Sequence, residues 1–230
     1  MNKKSKRVTE FEQKVDKFKL YPIDEAVNLL KELSSVKFDE TVEIHFNLGI
    51  DPRKGDQQIR STLVLPHGTG KTKSVIVFAE GEEAQEAEKA GADKVGSAEL
   101  IEEIKKSGKC EYDEAIATPE MMRKLGPIAK ILGTKGIMPN PKKETVTKNV
   151  AATIKAIKGG KIAFRNDDTA NIHQSVGKLS FTAEQLVENV NTFLQAILKI
   201  RPTAQKGIYI KSATLTSSMG PGLKLDVPKK

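Results

Sequence analysis

The chain has 230 residues, of which 38% are hydrophobic and 30% charged, with a formal net charge of +8. This length fits one large domain or two ordinary ones, and the composition predicts a soluble globular protein with a modest core. The basic charge indicates a polyanionic partner, usually nucleic acid. Aromatic residues make up only 5% and Trp is lacking, which argues against aromatic stacking platforms for single strands.

A single cysteine, Cys110, excludes an internal disulfide and leaves no Cys cluster for zinc, so we expect a reducing, cytoplasmic location. The N-terminal residues 1–7 are basic and no apolar segment follows them, which predicts a mobile tail that touches phosphates rather than a signal peptide. No run approaches the roughly 18 apolar residues needed to cross a bilayer, so no membrane partner is expected.

The first elements predicted are a helix and a half-buried strand. Apolar spacing predicts a helix over 23–33, with Pro22 at its first position. The segment 41–48 alternates strictly, so Val42, Ile44, Phe46 and Leu48 share one face of a strand. Its other face is polar and free for water or a partner, and consists of Thr41, Glu43, His45 and Asn47. A short strand over 62–65 follows a loop that Asp51-Pro52 opens.

The middle of the chain has a different pattern of apolar residues and predicted elements. The continuous apolar run 74–79 predicts a strand covered on both faces. Further strands are predicted over 94–96 and 112–117, and helices over 82–90, 98–106, 120–132 and 146–158. Strands that alternate with helices of this length indicate a small parallel α/β unit.

The C-terminal part has the same α+β pattern as the first part. Strands are predicted over 161–165 and 170–173, and a helix over 182–198 with Thr182 as its N-cap. A strand-like run, 207–211, then leads into an uncharged loop over 214–222, which offers hydroxyls, one thioether and two glycines. This loop fits either a solvated Gly-Pro turn or close hydrogen bonding to a backbone rich in oxygens, such as RNA with its 2′-hydroxyls.

The simplest architecture combines α/β and α+β parts in two domains. A discontinuous α+β outer domain, 1–66 and 160–230, would hold an inserted Rossmann-like α/β domain, 67–159. Two glycine-containing crossovers would form a hinge at Pro66, Gly68, Gly70, Gly159 and Gly160. The outer domain carries +6 of the net +8.

Charge is also concentrated locally, between Met121 and Asn166. Only Glu144 is acidic there, while the basic residues are Arg123, Lys124, Lys130, Lys135, Lys142, Lys143, Lys148, Lys155, Lys158, Lys161 and Arg165. Such a stretch favours phosphate contact, although runs of Lys on helices are often solvated faces.

Motifs for catalysis or cofactors find little support. Gly68-Thr69-Gly70-Lys71-Thr72 ends like a phosphate-binding loop, but the first glycine is missing and a strand follows instead of a helix. His45, His67 and His173 lack companions at metal-ligand spacing, and Asp167-Asp168 fits a turn. We therefore expect no metal, no cofactor and no enzymatic activity. The Gly- and Pro-rich segment 125–141 fits either a helix end with a fixed turn or a stiff basic loop presented to RNA or to the other domain.

That same segment, Leu125 to Pro141, resembles the signature of the bacterial large-subunit ribosomal protein L-one family. Three further stretches agree in the right order: 36–53, 172–178 and 218–221. The chain departs from the family pattern at Thr134-Lys135, where many members have Pro-Arg, and at Ser217-Ser218, where many have threonines. Both changes approximately keep the chemical type, so they affect only details.

The resemblance implies a structural ribosomal protein of two domains, the second inserted into the first. Such proteins bind a folded stalk region of large-subunit rRNA, form the mobile stalk beside the tRNA exit site and assist release of deacylated tRNA. Bacterial members also repress translation of their own mRNA by binding a site that mimics the ribosomal one. The expected protein is cytoplasmic, in the large ribosomal subunit, and a monomer outside the ribosome.

The family motif also implies which residues contact RNA. Carried over to this sequence, they are Phe38, Thr41, Glu43, His45, Arg53, Arg165, His173, Ser175, Ser212, Thr216, Ser218, Met219 and Gly220. Thr41, Glu43 and His45 also lie on the polar strand face deduced from alternation. Two other interpretations stay open at this point. One is an RNA-modifying or nucleotide-using enzyme with a cofactor in the inserted domain, and the other is a basic protein that binds any polyanion.

Overall fold

The computed structural model describes residues 5–228. Its helices are α1 (Lys6–Lys14), α2 (Ile23–Leu33), α3 (Glu82–Lys89), α4 (Ala98–Ser107), α5 (Pro119–Lys124), α6 (Ala129–Lys135), α7 (Val150–Lys158) and α8 (Ala183–Lys199). Its strands are β1 (Thr41–Leu48), β2 (Arg60–Val64), β3 (Val75–Phe78), β4 (Lys94–Gly96), β5 (Glu114–Ala117), β6 (Lys161–Arg165), β7 (Asn171–Lys178), β8 (Ile210–Ser217) and β9 (Leu223–Lys224). The expected mixture of helices and several sheets is confirmed.

The chain forms two compact units. The outer unit holds the described residues up to Gly70 and from Phe164 onward, and the middle unit holds Lys71–Ala163. That each unit is a domain, with boundaries after residues 66 and 159, stays a prediction.

The outer unit is built on an antiparallel sheet of order β7-β1-β8-β9. One face of β1 is buried, through Val42, Ile44, Phe46 and Leu48, as the alternation predicts. Phe46 contacts Phe193 of α8 with ring centroids 5.8 Å apart, so this helix covers the apolar face. The start of α8 is fixed by a capping box: Gln185 N–H donates to Thr182 Oγ1 at 3.2 Å, and Thr182 N–H donates back to Gln185 Oε1 at 3.1 Å.

The middle unit is built on a parallel sheet of order β4-β3-β5. Every residue of β3 is buried, and its side chains point alternately into two separate hydrophobic clusters. Ile76 and Phe78 pack with residues of α4, α5 and α6, whereas Val75 and Val77 pack with residues of α3 and α7. The prediction of a strand covered on both faces is confirmed.

Two predicted helices of the middle unit are wrong in extent. The helix expected over 120–132 is broken into α5, a 3-10 turn at Gly126–Ile128, and α6. Pro127 has no backbone N–H to donate along a continuous helix, which explains the break. The helix expected from 146 begins only at Val150, because Asn149 is its N-cap and accepts from Ala152 N–H at 3.3 Å.

Three elements of the outer unit also differ from expectation. Residues 1–4 of the expected mobile tail lie outside the described residues, and its remainder is helical: Ser5 caps α1, which begins at Lys6. Pro22 is the N-cap of α2 rather than its first residue. The strand predicted over 170–173 extends as β7 to Lys178.

The first expected hinge segment is anchored within the outer unit. Asn189 of α8 is fully buried, and its amide accepts from His67 N–H at 3.2 Å and donates to the Gly68 carbonyl at 3.0 Å. Gly68, Gly70 and Gly160 have positive φ angles of 64°, 71° and 102°, which favour glycine. Pro66 is exposed just before this anchor, and Gly159 ends α7. A hinge at these five residues stays a prediction.

Candidate RNA-binding surface

The face of the outer sheet opposite its helices is polar. Paired residues on neighbouring antiparallel strands point to the same side, so the register defines this surface. Glu43 lies between Ser175 and Thr216, and His45 lies between His173 and Thr214. We call this surface the open face, and it consists of Asn171, His173, Ser175 and Lys178 of β7, Thr41, Glu43, His45 and Asn47 of β1, Ser212, Thr214 and Thr216 of β8, and Lys224 of β9.

The open face brings together seven of the residues proposed from the family motif. They come from three strands far apart in sequence: Thr41, Glu43, His45, His173, Ser175, Ser212 and Thr216. Apart from Glu43 and the histidines, these side chains carry hydroxyl groups, which both donate and accept hydrogen bonds. The arrangement therefore suits a partner that presents sugar hydroxyls and base edges.

The uncharged loop predicted over 214–222 is wrong in its first half. Thr214, Leu215, Thr216 and Ser217 belong to β8 and pair with β1, and Leu215 is fully buried. These residues alternate between the core and the polar side of the sheet, as strand residues do. Only residues 218–222 form a turn, which connects β8 to β9.

The turn is tied to the start of β1 by hydrogen bonds between Ser218 and Thr41. Ser218 N–H donates to the Thr41 carbonyl at 3.1 Å, and Thr41 N–H donates to Ser218 Oγ at 3.1 Å. The Thr216 hydroxyl donates to the carbonyls of Ser217 at 3.1 Å and Gly220 at 3.4 Å. Its oxygen lone pairs remain able to accept from a ligand. These bonds fix the turn that carries Met219, whose side chain is 41% exposed.

Gly220 is required by close packing inside the turn. A Cβ atom at this position would lie 2.4 Å from the Ser217 hydroxyl oxygen and 3.6 Å from Leu30 Cδ2. Ser217 is itself buried, so its side chain has little room to move away. A larger residue at 220 would therefore displace the turn and the Met219 side chain with it.

Two histidines occupy the centre of the open face. Their Nδ1 atoms are 2.8 Å apart, and the rings meet edge to face with centroids 5.0 Å apart. Burial lowers the pKa of His45, and the neighbouring His173 lowers that pKa further, against a smaller opposing effect of Glu43. His45 is therefore neutral near pH 7 and offers hydrogen bonds rather than charge.

Next to the histidines, a turn before β7 fixes an ionised carboxylate. The Asp167 side chain accepts from the N–H groups of Thr169 and Asn171 at 2.9 and 2.7 Å, and from the Thr169 hydroxyl at 2.8 Å. Burial alone would raise the pKa of Asp167, but these hydrogen bonds lower it to about 2. Asp167 therefore stabilises the turn, as expected for the Asp167-Asp168 pair. It also borders the open face, because it lies 3.6 Å from His173 Nε2.

Thr41 is placed differently from its neighbours. It is only 8% exposed, and its hydroxyl accepts from Lys178 Nζ at 2.9 Å. A ligand would therefore meet the Lys178 ammonium group before it meets Thr41.

Three further proposed contacts lie away from both the open face and the β8–β9 turn. Phe38 is 55% exposed in the segment between α2 and β1, which is a large exposed area for an aromatic side chain. Arg53 is exposed in the loop between β1 and β2, and Arg165 is exposed at the end of β6. Their placement in the outer unit agrees with a contact surface wider than the sheet.

The open face also contains polar residues that the motif did not indicate: Asn47, Asn171, Lys178, Thr214 and Lys224. Asn47 Nδ2 donates to Asn171 Oδ1 at 2.7 Å, so this pair extends the polar row to the far end of β1. Alternation already placed Asn47 on the polar face. The same signal would have found Thr214 if β8 had been predicted at full length. It would have missed Lys178, because an irregularity in the pairing of β7 with β1 shifts this residue out of the alternation.

The basic stretch of the middle unit is less free than its sequence suggests. Several of its lysines are engaged by groups outside the stretch: Lys124 pairs with Glu80 at 2.6 Å, and Lys158 pairs with Asp93 at 3.3 Å. Lys135 donates to the carbonyls of Cys110 and Tyr112 at 2.7 and 2.8 Å. A count along the sequence missed these partners because they come from other loops of the fold.

Residues 5–228 also bear on three other kinds of site: a metal centre, a membrane span and a phosphate-binding loop. No group of three or more His, Cys, Asp or Glu side chains there is arranged to hold a metal ion. None of the helices formed by those residues is long and apolar enough to span a membrane. Residues 71–74 are irregular and lead into β3, so the Gly68–Thr72 segment lacks the helix that a phosphate-binding loop opens.

Fold and surface together define a mixed α/β protein whose antiparallel sheet presents one polar face to solvent. Comparison with known proteins identifies the family of the chain. The family described as "Ribosomal protein L1p/L10e family" matches residues 30–221. The chain belongs to this family, and the predicted family membership is confirmed.

Individual relatives cover almost the whole chain. A protein of Thermosipho melanesiensis named "Large ribosomal subunit protein uL1" is 52% identical over 226 residues, which are 98% of this chain and 97% of that protein. Proteins with the same name are 54% identical in Streptomyces virginiae, over 97% of this chain and 93% of the relative, and 51% identical in Kosmotoga olearia, over 100% and 99%.

Proposed function

We propose that this chain is a structural, non-enzymatic protein of the large ribosomal subunit that binds a folded region of large-subunit rRNA. The observation that carries the proposal is the open face, a solvent-facing row of hydroxyl, amide and imidazole groups backed by a buried core. The names of relatives above 50% identity support the ribosomal part of the proposal. The expected cytoplasmic location in the large ribosomal subunit follows from the same relatives.

Attraction and recognition are divided between different residues. Arg53, Arg165, Lys178 and Lys224 supply charge for phosphates, which gives salt-dependent affinity but little sequence information. The hydroxyls of Ser175, Ser212, Thr214 and Thr216 supply donors and acceptors for 2′-hydroxyls and base edges. Glu43 accepts from a 2′-hydroxyl or orients a neighbour, because a carboxylate would repel phosphate.

The finer role of the protein is to form the mobile stalk beside the tRNA exit site and to assist release of deacylated tRNA. Its mRNA-repressor role uses the same open face on a similar RNA fold in its own message. One surface for both RNAs predicts that they compete, and that the protein binds as a monomer outside the ribosome. Competition between a stalk rRNA fragment and the chain's own mRNA leader, with mass photometry for stoichiometry, tests these points.

The end of β8 and the turn that follows it give the sharpest test of the proposed surface. Replacing Thr216 with Val removes a hydroxyl that the RNA contact needs. The RNA group that loses this hydrogen-bond partner is left unpaired in a buried interface, which costs about 1–3 kcal/mol. Replacing Met219 with Glu places a negative charge at the edge of the open face, against the polyanion. We expect each change to weaken binding of a stalk rRNA fragment roughly tenfold or more at fixed salt.

Matched controls separate this effect from general damage. Thr192→Val removes a hydroxyl on α8, where it donates to the Glu188 carbonyl. Phe18→Glu adds the same charge at an apolar side chain that is 89% exposed in the segment before α2. Both should bind like the unmodified chain, and Thr216→Ser should restore most of the affinity. Unchanged affinity for both Thr216→Val and Met219→Glu would remove the end of β8 and the following turn from the proposed interface.

Specificity decides between this function and simple binding of polyanions. A fixed amount of labelled stalk rRNA fragment is competed with bulk tRNA and with unlabelled stalk fragment. We expect the stalk fragment to compete at least 10³-fold better, the lower end of the ratio typical of specific nucleic-acid complexes. Equal competition would assign the chain a non-specific basic surface instead.

A further inference from the structure

The contact between His45 and His173 is chemically restrictive. Two ring nitrogens 2.8 Å apart form a hydrogen bond only if one carries a proton and the other does not. The neutral pair therefore shares one Nδ1 proton, and one of its two Nε2 atoms is bare. A single further proton fits on that Nε2 atom. A second would place two N–H groups head to head and break the contact.

The charged groups around the pair oppose one another. Glu43 of β1 has an oxygen 3.9 Å from His45 Nε2, and Asp167 in the turn before β7 has one 3.6 Å from His173 Nε2. On the cationic side, Lys178 of β7 is held by Thr41, and Lys224 of β9 lies opposite Thr214. The residues that β8 contributes to the open face, Ser212, Thr214 and Thr216, are uncharged.

The surroundings act in opposite directions on the protonation of His45. Burial and the second ring oppose a proton on His45, as the lowered pKa of this residue reflects. The two carboxylates favour a proton, and Asp167 stays ionised through the neutral range because its pKa is about 2. The outer edges of both rings stay reachable, since the side chains of His45 and His173 are 29% and 56% exposed.

We propose that His45 and His173 act as one unit that takes up a single proton when RNA binds to the open face. The inference rests on the proposed function, because the polyanion provides the driving force. Phosphates that approach the sheet add negative potential at the pair and favour its cationic form. Protonation then turns the bare nitrogen into a second N–H donor on the open face, and binding and proton uptake become linked.

The linkage predicts a characteristic pH dependence. With a stalk rRNA fragment at fixed salt, the Kd of the full chain should decrease as pH falls from about 7.5 to 5.5. The decrease should be steepest below the ordinary histidine pKa of about 6.5, because the pKa of His45 in the free chain is lowered from that value. One proton limits the slope to at most tenfold per pH unit. The variants His45→Asn and His173→Asn, singly and combined, keep polar side chains but should lose most of this slope.

His67→Asn is the matched control, because this histidine lies outside the sheet and pairs with Glu188 of α8 at 2.7 Å. It should keep the full pH dependence, and any titration of the RNA itself is common to all variants. A second measurement needs no variant: calorimetry of the unmodified chain at pH 6.5 in buffers of different ionisation enthalpy gives the number of protons taken up. We expect a value between zero and one.

Three results would overturn the inference: the same pH dependence with and without both histidines, weaker binding at lower pH, or uptake of more than one proton. In these cases the proposed RNA interface stands as long as the turn variants lose affinity. A different result would remove the proposed function, and this inference with it: the unmodified chain binds the stalk rRNA fragment no more tightly than bulk tRNA at any pH.

Discussion

The two main sheets of this protein use opposite designs. In the outer unit β1 buries every second residue, so one side of the antiparallel sheet is core and the other is the open face. In the middle unit all four residues of β3 are buried, because helices cover both sides of the parallel sheet. Parallel strands need crossover connections that pass over the sheet, whereas antiparallel strands leave one side free. The outer sheet therefore leaves a face that a large partner can reach, and the proposed RNA-binding surface lies there.

The largest expected effect concerns the middle unit by itself. Its two hydrophobic clusters contain only residues between 75 and 157, so its core is complete without the outer unit. A fragment of residues 71–163 should unfold cooperatively in urea, with a free energy of unfolding of about 5 kcal/mol or more by the usual value per residue. Circular dichroism measures this transition. A broad, non-cooperative transition would mean that the two units are not separate domains.

Neighbouring substitutions on β1 and β3 test the contrast between the sheets directly. Ile76→Ala should cost about 2–5 kcal/mol of unfolding free energy, and Val77→Ala about 2 kcal/mol or more, because both face packed clusters. On β1, Phe46→Ala should cost about 3–5 kcal/mol, whereas Asn47→Ala should cost only about 1 kcal/mol for its hydrogen bond to Asn171.

Chemical denaturation of the four variants measures these differences. A small cost at Val77 would contradict the double coverage of β3, and a large cost at Asn47 would contradict the open face.

A smaller effect is expected from the arginines beside the open face. Arg53→Gln and Arg165→Gln should each reduce the slope of log affinity against log salt by about 0.9 if each contacts one phosphate. Lys106→Gln removes the same charge from α4, on a side chain that is 82% exposed, and should leave the slope unchanged. Titrations of the stalk rRNA fragment at several salt concentrations give the slopes, and equal slopes for all variants would exclude both arginines as phosphate contacts.

The smallest effect concerns stability at acid pH. The pKa of Asp167 is lowered to about 2 from an ordinary 3.8, so its hydrogen bonds stabilise the fold above pH 4, and this stability is lost as pH falls toward 2. Because the side chain is 40% exposed, solvent screening reduces the contribution to about 1 kcal/mol. Asp167→Asn should be less stable than the unmodified chain at pH 7 and equally stable near pH 2.

Urea unfolding at both pH values checks this difference. Asp168→Asn, in the same turn, is the control for the loss of one charge. An equal deficit of Asp167→Asn at both pH values would show that ionisation of Asp167 is not the cause.

Sequence patterns predicted the elements best where one period persisted. Strict alternation gave β1 and its polar face, a continuous apolar run gave β3, and the Thr182 cap gave the start of α8. Prediction failed where two signals overlapped. In 214–222 the glycines and hydroxyls suggested a loop and hid the alternation of β8, and Pro127 inside an apolar helical spacing divided what was read as one helix.

The sequence by itself determined the family, the mixed α/β class, the net basic charge and one polar row on β1. Each follows from composition, motif or local period, which need no knowledge of neighbours. Only the tertiary structure decided what lies next to that row. Strand pairing across more than a hundred residues sets His173 against His45 and Thr216 against Glu43. The same folding brings Glu80 and Asp93 to lysines that look unopposed along the chain.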